Sequence, residues 1–151
     1  MPWTAHIDGG SRGNPGPAAA GVVIRDETGR SVLAAGFFLG RATNNQAEYN
    51  GLLRAVELLR QAGAKTVEIV SDSELMVRQI NGQYKVRSPD LRPLYEDARA
   101  GLDAFQWKLR HVLRAHNTDA DGLANDAMDA AADVVRLDVL ALLGGRPAPA
   151  D

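Results

Sequence analysis

Four carboxylates in this 151-residue chain stand where one structural element gives way to the next, each in its own local frame. Asp8 closes an apolar alternation, Trp3-Thr4-Ala5-His6-Ile7-Asp8, and leads into Gly9-Gly10-Ser11-Arg12-Gly13-Asn14-Pro15-Gly16. Glu48 lies one turn inside a helix opened by Thr43, Asn44 and Asn45. Asp72 ends the β-branched run of residues 66–71, and Asp121 falls in the first turn of the last helix. Carboxylates that converge repel one another at short range, which costs folding energy. A convergent set therefore points to a cation. Hard oxygen donors with no sulfur or imidazole beside them suit Mg²⁺ or Mn²⁺.

Each frame also has a plainer reading. The glycine-rich stretch after Asp8 runs into a second strand, not a helix, so it lacks the context of a dinucleotide or P-loop fingerprint. It reads either as a hairpin turn or as a place where backbone approaches a sugar-phosphate closely. Thr118 and Asp121 approximate a capping box, and an acid in a first turn suits the helix dipole. Asp72 can serve as a turn-forming residue before a short helix. Glu48 is harder to dismiss, because it shares a stripe with Gly51, Leu52 and Ala55 and no cation lies three or four residues before it. One residue of Thr43, Asn44 and Asn45 suffices as a cap, and the others offer spare donors for a phosphate or a 2′-hydroxyl. His6 reads as core on a central strand, and Asp119 and Asp129 as solvated helix positions.

The elements that must position these groups follow from periodicity. Residues 3–8, 19–25 and 31–39 alternate with period two and are joined by turns of Gly, Pro and Asp, giving an antiparallel meander. Tyr49, Leu52, Leu53, Val56 and Leu59 recur at three to four residues, an amphipathic helix ending near Gly63. A buried fourth strand over 66–71, a short helix over 74–80, a helix over about 90–102 and a fifth strand over 105–113 come next. The last helix starts after Thr118, with Val134 and Val135 continuing its apolar spacing. This order predicts an α/β fold, a five-stranded mixed sheet with helices on both faces. One domain over 1–143 with a flexible tail over 144–151 accounts for the chain. Hydrophobic content of 45% and charged content of 24% are ordinary for a globular protein. The net charge of −2 requires any nucleic-acid contact to come from a local basic patch. With no cysteine, thiolate metal sites and a cysteine nucleophile are excluded. No segment reads as a signal peptide or membrane span, so a cytoplasmic protein is the default.

Taken together the frames resemble the ribonuclease H type 1 family. The matching pieces are Ile7-Asp8-Gly9-Gly10-Ser11 with Gly13-Asn14-Pro15-Gly16, Thr43-Asn44-Asn45 with Glu48, Ser71-Asp72-Ser73, and Asn117 with Asp121, Leu123, Ala124 and Asn125. They occur in family order over almost the whole domain. The resemblance implies a ribonuclease H-like fold in which three antiparallel strands are followed by two parallel additions. It implies endonucleolytic cleavage of the RNA strand of RNA–DNA hybrids, with 5′-phosphate and 3′-hydroxyl products. It also implies two Mg²⁺ ions, with Mn²⁺ as a substitute, held by Asp8, Glu48, Asp72 and Asp121, Asp8 being the bridging ligand. Two such metals about 3.5–4 Å apart activate a water and stabilise the departing oxygen. Candidate substrate contacts are Gly9, Gly10, Ser11, Asn14, Thr43, Asn44 and Asn45.

Two departures shape the expectation. Many members carry a long basic, tryptophan-rich insertion after the fourth strand. Here residues 79–93 are short and offer only Lys85, Arg87 and Arg92, which resembles the branch without the insertion and implies a weaker grip on hybrid. In many members a longer loop before the last helix presents a mobile histidine. His116, adjacent to Asn117, does not occupy that position, and Arg114 is the candidate for leaving-group or product contacts. The rival readings are a DNA resolvase or transposase-type nuclease of the same fold and a non-catalytic hybrid-binding module. A monomer without membrane association is expected.

Overall fold

The computed structural model describes residues 1–144. Strands β1 (Trp3–Ser11), β2 (Gly16–Arg25) and β3 (Ser31–Ala42) form the antiparallel meander. Then come α1 (Asn44–Gln61), β4 (Thr66–Ser71), α2 (Glu74–Ile80), α3 (Arg92–Leu102) and β5 (Gln106–His111). A 3₁₀ turn (Arg114–His116), α4 (Thr118–Ala130) and β6 (Val134–Asp138) complete the described chain. The sheet order is β5-β4-β1-β2-β3-β6, with β4 parallel to both β1 and β5.

The sixth strand corrects the expectation of five. Ala131 adopts a left-handed conformation, φ 49°, which ends α4 and turns the chain back toward the sheet. Asp133 Oδ1 then accepts a hydrogen bond from the Phe38 N–H, 2.8 Å, and residues 134–138 pair antiparallel with β3. Val134 and Val135 fit helical spacing by coincidence; both are β-branched and serve the strand. Of the expected tail over 144–151, residues 145–151 lie outside the described residues.

Helices cover both faces. Ile7, Ile24, Leu33 and Phe37 meet Tyr49, Leu52 and Leu59 of α1 in the larger core, which α3 extends through Ala98 and Leu102. On the opposite face Ala19 packs against Ala124 and Ala127 of α4. Alternate residues of one strand point to opposite faces, so β2 serves both layers. Helix α1 begins at a complete capping box, Thr43 accepting from the Gln46 N–H and Gln46 from the Thr43 N–H.

Glycines set the closeness of both layers. A Cβ on Gly9 would lie 2.3 Å from the Ala47 carbonyl carbon, and one on Gly21 would lie 2.0 Å from the Ala120 oxygen. The sheet is thus pinched between α1 and α4 at two neighbouring strands. Gly51, on the same stripe of α1 as Glu48, sits more loosely, 3.2 Å from the Asp8 oxygen.

Strand β1 does not end at Asp8. It continues beside β2 as far as Ser11, paired with Ala18, whereas its parallel pairing with β4 stops at Ile7 and Ser71. Asp8 and Asp72 are therefore the first residues past the point where these two strands part.

Candidate active site

The parting of β1 and β4 leaves an opening through which groups from both layers converge. Asp8 is 6% exposed, and its strand position directs it to the α4 face, since Ile7 belongs to the α1-side core. Glu48 enters from α1, held forward by the contact of its helix with Gly9. Asp72 follows β4 directly. One carboxylate oxygen each from Asp8, Glu48 and Asp72 lie within 4.8 Å of one another. Asp121 lies outside that triplet but lines the same cavity of about 460 Å³, together with Asp8, Gly10, Asn45, Glu48 and Arg114. It stands within hydrogen-bond reach of Asp8.

Confinement dominates the electrostatics. Burial, followed by the charges of Glu48 and Asp72, pushes the Asp8 carboxyl up to about 9. Burial and the charge of Asp72 push Glu48 up to about 8, against the opposing pull of the Gly9 amide and the Arg114 guanidinium. Glu48 Oε1 and Asp72 Oδ2 are buried without a hydrogen-bond partner. Arg114 Nε stands 3.9 Å from Asp72 Oδ2, on a side chain that is 85% exposed. A solvent-exposed guanidinium at that range compensates the acids poorly. Buried acceptors without donors, gathered within one ligand sphere, fit a hard divalent cation.

The remaining expected contacts divide. Ser11 donates its N–H to Asn44 Oδ1, 2.8 Å, and Asn44 donates its own N–H to Asn14 Oδ1, 3.1 Å. These bonds, with the Thr43 cap, lock the β1–β2 hairpin to the start of α1, so Asn14, Thr43 and Asn44 first hold structure. Asn45 is exposed and lines both the carboxylate cavity and a neighbouring groove of about 600 Å³ bounded by Gln79, Tyr84, Lys85 and Arg87. Arg92 is engaged elsewhere, donating to the Val86 carbonyl at 3.1 Å and pairing with Glu96 at 3.4 Å.

His116 does not reach the carboxylates. It lines a separate polar cavity of about 120 Å³ with His6, Arg25, Thr118 and Asp119. His6 is accordingly half-buried on the α4 side, and burial lowers its pKa. Asp129, expected to be merely solvated, pairs with Arg12 at 2.7 Å and ties the hairpin tip to α4. Sequence reading missed a role for Asn125, whose Nδ2 donates to the Asp121 carbonyl at 3.1 Å and lies 3.4 Å from its Oδ2. The signal was present, because Asn125 follows Asp121 by one helical turn.

Comparison with known proteins places this arrangement. A family model described as reverse transcriptase-like matches residues 6–127. The chain is 46% identical over 126 residues to a ribonuclease HI of Halobacterium salinarum, covering 83% of this chain and 63% of that protein. The chain belongs to the ribonuclease H type 1 family. A second relative, a bifunctional protein of Mycobacterium tuberculosis, is 47% identical over 140 residues, which cover 91% of this chain and 38% of that protein. The chain thus spans less than two thirds of the length of either curated relative. Among solved ribonuclease H structures, LC11-RNase H1 in complex with an RNA/DNA hybrid superposes with a TM-score of 0.80 at 40% identity. That match covers 85% of this chain and 98% of the other.

Proposed function

We propose that this protein hydrolyses the RNA strand of RNA–DNA hybrids endonucleolytically, with two Mg²⁺ ions as cofactor and Mn²⁺ as a substitute. The observation that carries the reading is the trio of Asp8, Glu48 and Asp72 oxygens within 4.8 Å of one another, with Asp121 lining a cavity beside Asp8 and Glu48. The hybrid-bound state of LC11-RNase H1 supports the substrate class. Asp8, Glu48 and Asp72, with Asp121 beside them, are the residues that would hold the metal ions. Metal ions bound there would supply Lewis-acid stabilisation to the attacking and leaving oxygens of a phosphodiester, which would leave 5′-phosphate and 3′-hydroxyl ends.

The chain's own groups orient the substrate. Arg114, exposed at the rim, reaches a phosphate oxygen beside the acids with a bidentate guanidinium. Asn45 and the Gly10 backbone read the 2′-hydroxyl, the group that distinguishes RNA from DNA, while the Ser11 N–H is committed to Asn44. Lys85 and Arg87 line the groove that Asn45 shares with the cavity, and they neutralise backbone phosphate there. Every group of the site comes from one chain, so a monomer suffices.

A cleavage assay on RNA–DNA hybrid, duplex RNA and duplex DNA, with Mg²⁺, Mn²⁺ or excess chelator, tests this reading. Hybrid RNA should be cut only with metal present. Cleavage that persists in chelator would sink the metal mechanism, and preferential cutting of duplex DNA would favour the resolvase-type reading.

A further inference from the structure

Asn117 stands at the N-cap of α4 and makes no cap bond. Asparagine is among the best capping residues, so forgoing the cap is a cost to the helix. Its Oδ1 is buried without a hydrogen-bond partner, and its amide nitrogen is committed elsewhere. Nδ2 donates at 2.8 Å to the carbonyl of Ile7, the residue immediately before Asp8. The residue is only 2% exposed, so water does not compete for that bond. The Asn117 main chain accepts from the Asp121 N–H at 3.2 Å and donates to the Arg114 carbonyl at 3.0 Å. One residue therefore bonds the backbone of β1 next to Asp8, the 3₁₀ turn that carries Arg114, and the first turn of α4 that carries Asp121. The contacts of Gly21 and Gly36 with Ala120 and Leu123 set the height of α4 above the sheet. The Asn117–Ile7 bond sets where that helix starts along β1.

We propose that Asn117 is a positioning residue that fixes Asp121 and Arg114 relative to Asp8 and thereby sets the affinity of the site for divalent metal. The proposal rests on the metal-dependent reading above. Partners that orient metal ligands typically carry a 10–100-fold effect on metal affinity or activity. Asn117→Ala should raise the Mg²⁺ dissociation constant by about that factor and lower kcat, while KM for hybrid at saturating Mg²⁺ stays unchanged.

Asn117→Ser separates positioning from stability. Serine caps helices well but is one atom too short to reach the Ile7 carbonyl, so it offers α4 a cap in exchange for the lost clamp. Its metal-free melting temperature should stay close to that of the wild type while its Mg²⁺ affinity falls by about tenfold or more. Should Asn117→Ala fail to fold, the serine variant decides alone. Calorimetric Mg²⁺ titration of the full chain, without nucleic acid, reads the affinity. A dissociation constant for Asn117→Ser equal to that of the wild type would overturn the proposal and leave Asn117 a fold-stabilising amide. Failure of the wild type itself to bind Mg²⁺ would overturn the metal reading instead, and this inference with it.

Discussion

Replacing Asp8 by Asn should change how the metal-free protein responds to pH, and the size of the change follows from the site. The Asp8 and Glu48 carboxyls are pushed up to about 9 and about 8, from ordinary values of 3.8 and 4.5. Both folded-state values are raised, so the associated stability is complete below the ordinary values and is lost as pH rises toward the folded ones. Between pH 5 and 7 the unfolded chain has ionised both groups while the folded chain keeps its protons. Each retained proton then costs about 1.36 kcal/mol per pH unit, or about 3 kcal/mol over this window. For a chain of this size the one proton that Asp8→Asn removes from this balance is worth about 6–12 °C in melting temperature. His6 works in the opposite direction, since burial lowers its pKa, but it is common to wild type and variant and cancels in the difference. Thermal melts in chelator at pH 5, 6, 7 and 8 should show the wild type falling more steeply than Asp8→Asn, with Asp8→Asn the more stable at pH 7. Glu27→Gln, in an exposed turn, should track the wild type. Asp129 is unsuitable as such a control because it pairs with Arg12. Added Mg²⁺ should raise the wild-type melting temperature as ln(1 + [Mg²⁺]/Kd), with a larger gain at pH 8 than at pH 5 and a much smaller gain in Asp8→Asn. Parallel metal-free curves for wild type and Asp8→Asn would refute proton retention by the cluster, and a destabilised Asp8→Asn at pH 7 would make Asp8 a structural acceptor.

Arg114→Ala should reduce kcat on saturating hybrid by roughly tenfold or more, the worth of a charged hydrogen bond, whereas His116→Ala should change it little; a larger loss for His116 would reverse the assignment. Replacing Lys85 and Arg87 together by Ala should raise KM and reduce the salt dependence of binding by about two phosphate contacts. An unchanged salt slope would place the basic track elsewhere.

Much of this site was legible because its parts sit beside strong local signals. Asp8 and Asp72 flank period-two runs, and Glu48 follows the run of capping residues Thr43, Asn44 and Asn45. Local signals failed where pairing partners are distant. Nothing near Asp8 reveals that β1 runs on to Ser11, because that extension depends on Ala18 across the hairpin. The end of α4 was misjudged for a similar reason: Ala131 is an unusual left-handed residue, and β6 exists only because β3 offers an edge. Side-chain commitments were equally hidden. Arg92 and Arg87 look equivalent in sequence, yet the first is spent on Val86 and Glu96. The Asn117–Ile7 bond joins residues 110 positions apart.

The pinching of the sheet by Gly9 and Gly21 carries a consequence for engineering. Backbone meets backbone where β1 touches α1 at Gly9 and where β2 touches α4 at Gly21, so at those two points no side chain lies between helix and sheet to absorb displacement. A repacked core under α1 or α4 that swells a layer by even a fraction of an ångström must move Glu48 or Asp121 off Asp8. Activity would then decline before the protein shows any loss of thermal stability. Stabilising substitutions chosen by melting temperature alone will accordingly yield sturdy, inactive variants when they thicken either layer. A screen that scores Mg²⁺ affinity alongside melting would detect such variants at once, and the safest place to add stability is the outer edge formed by β6.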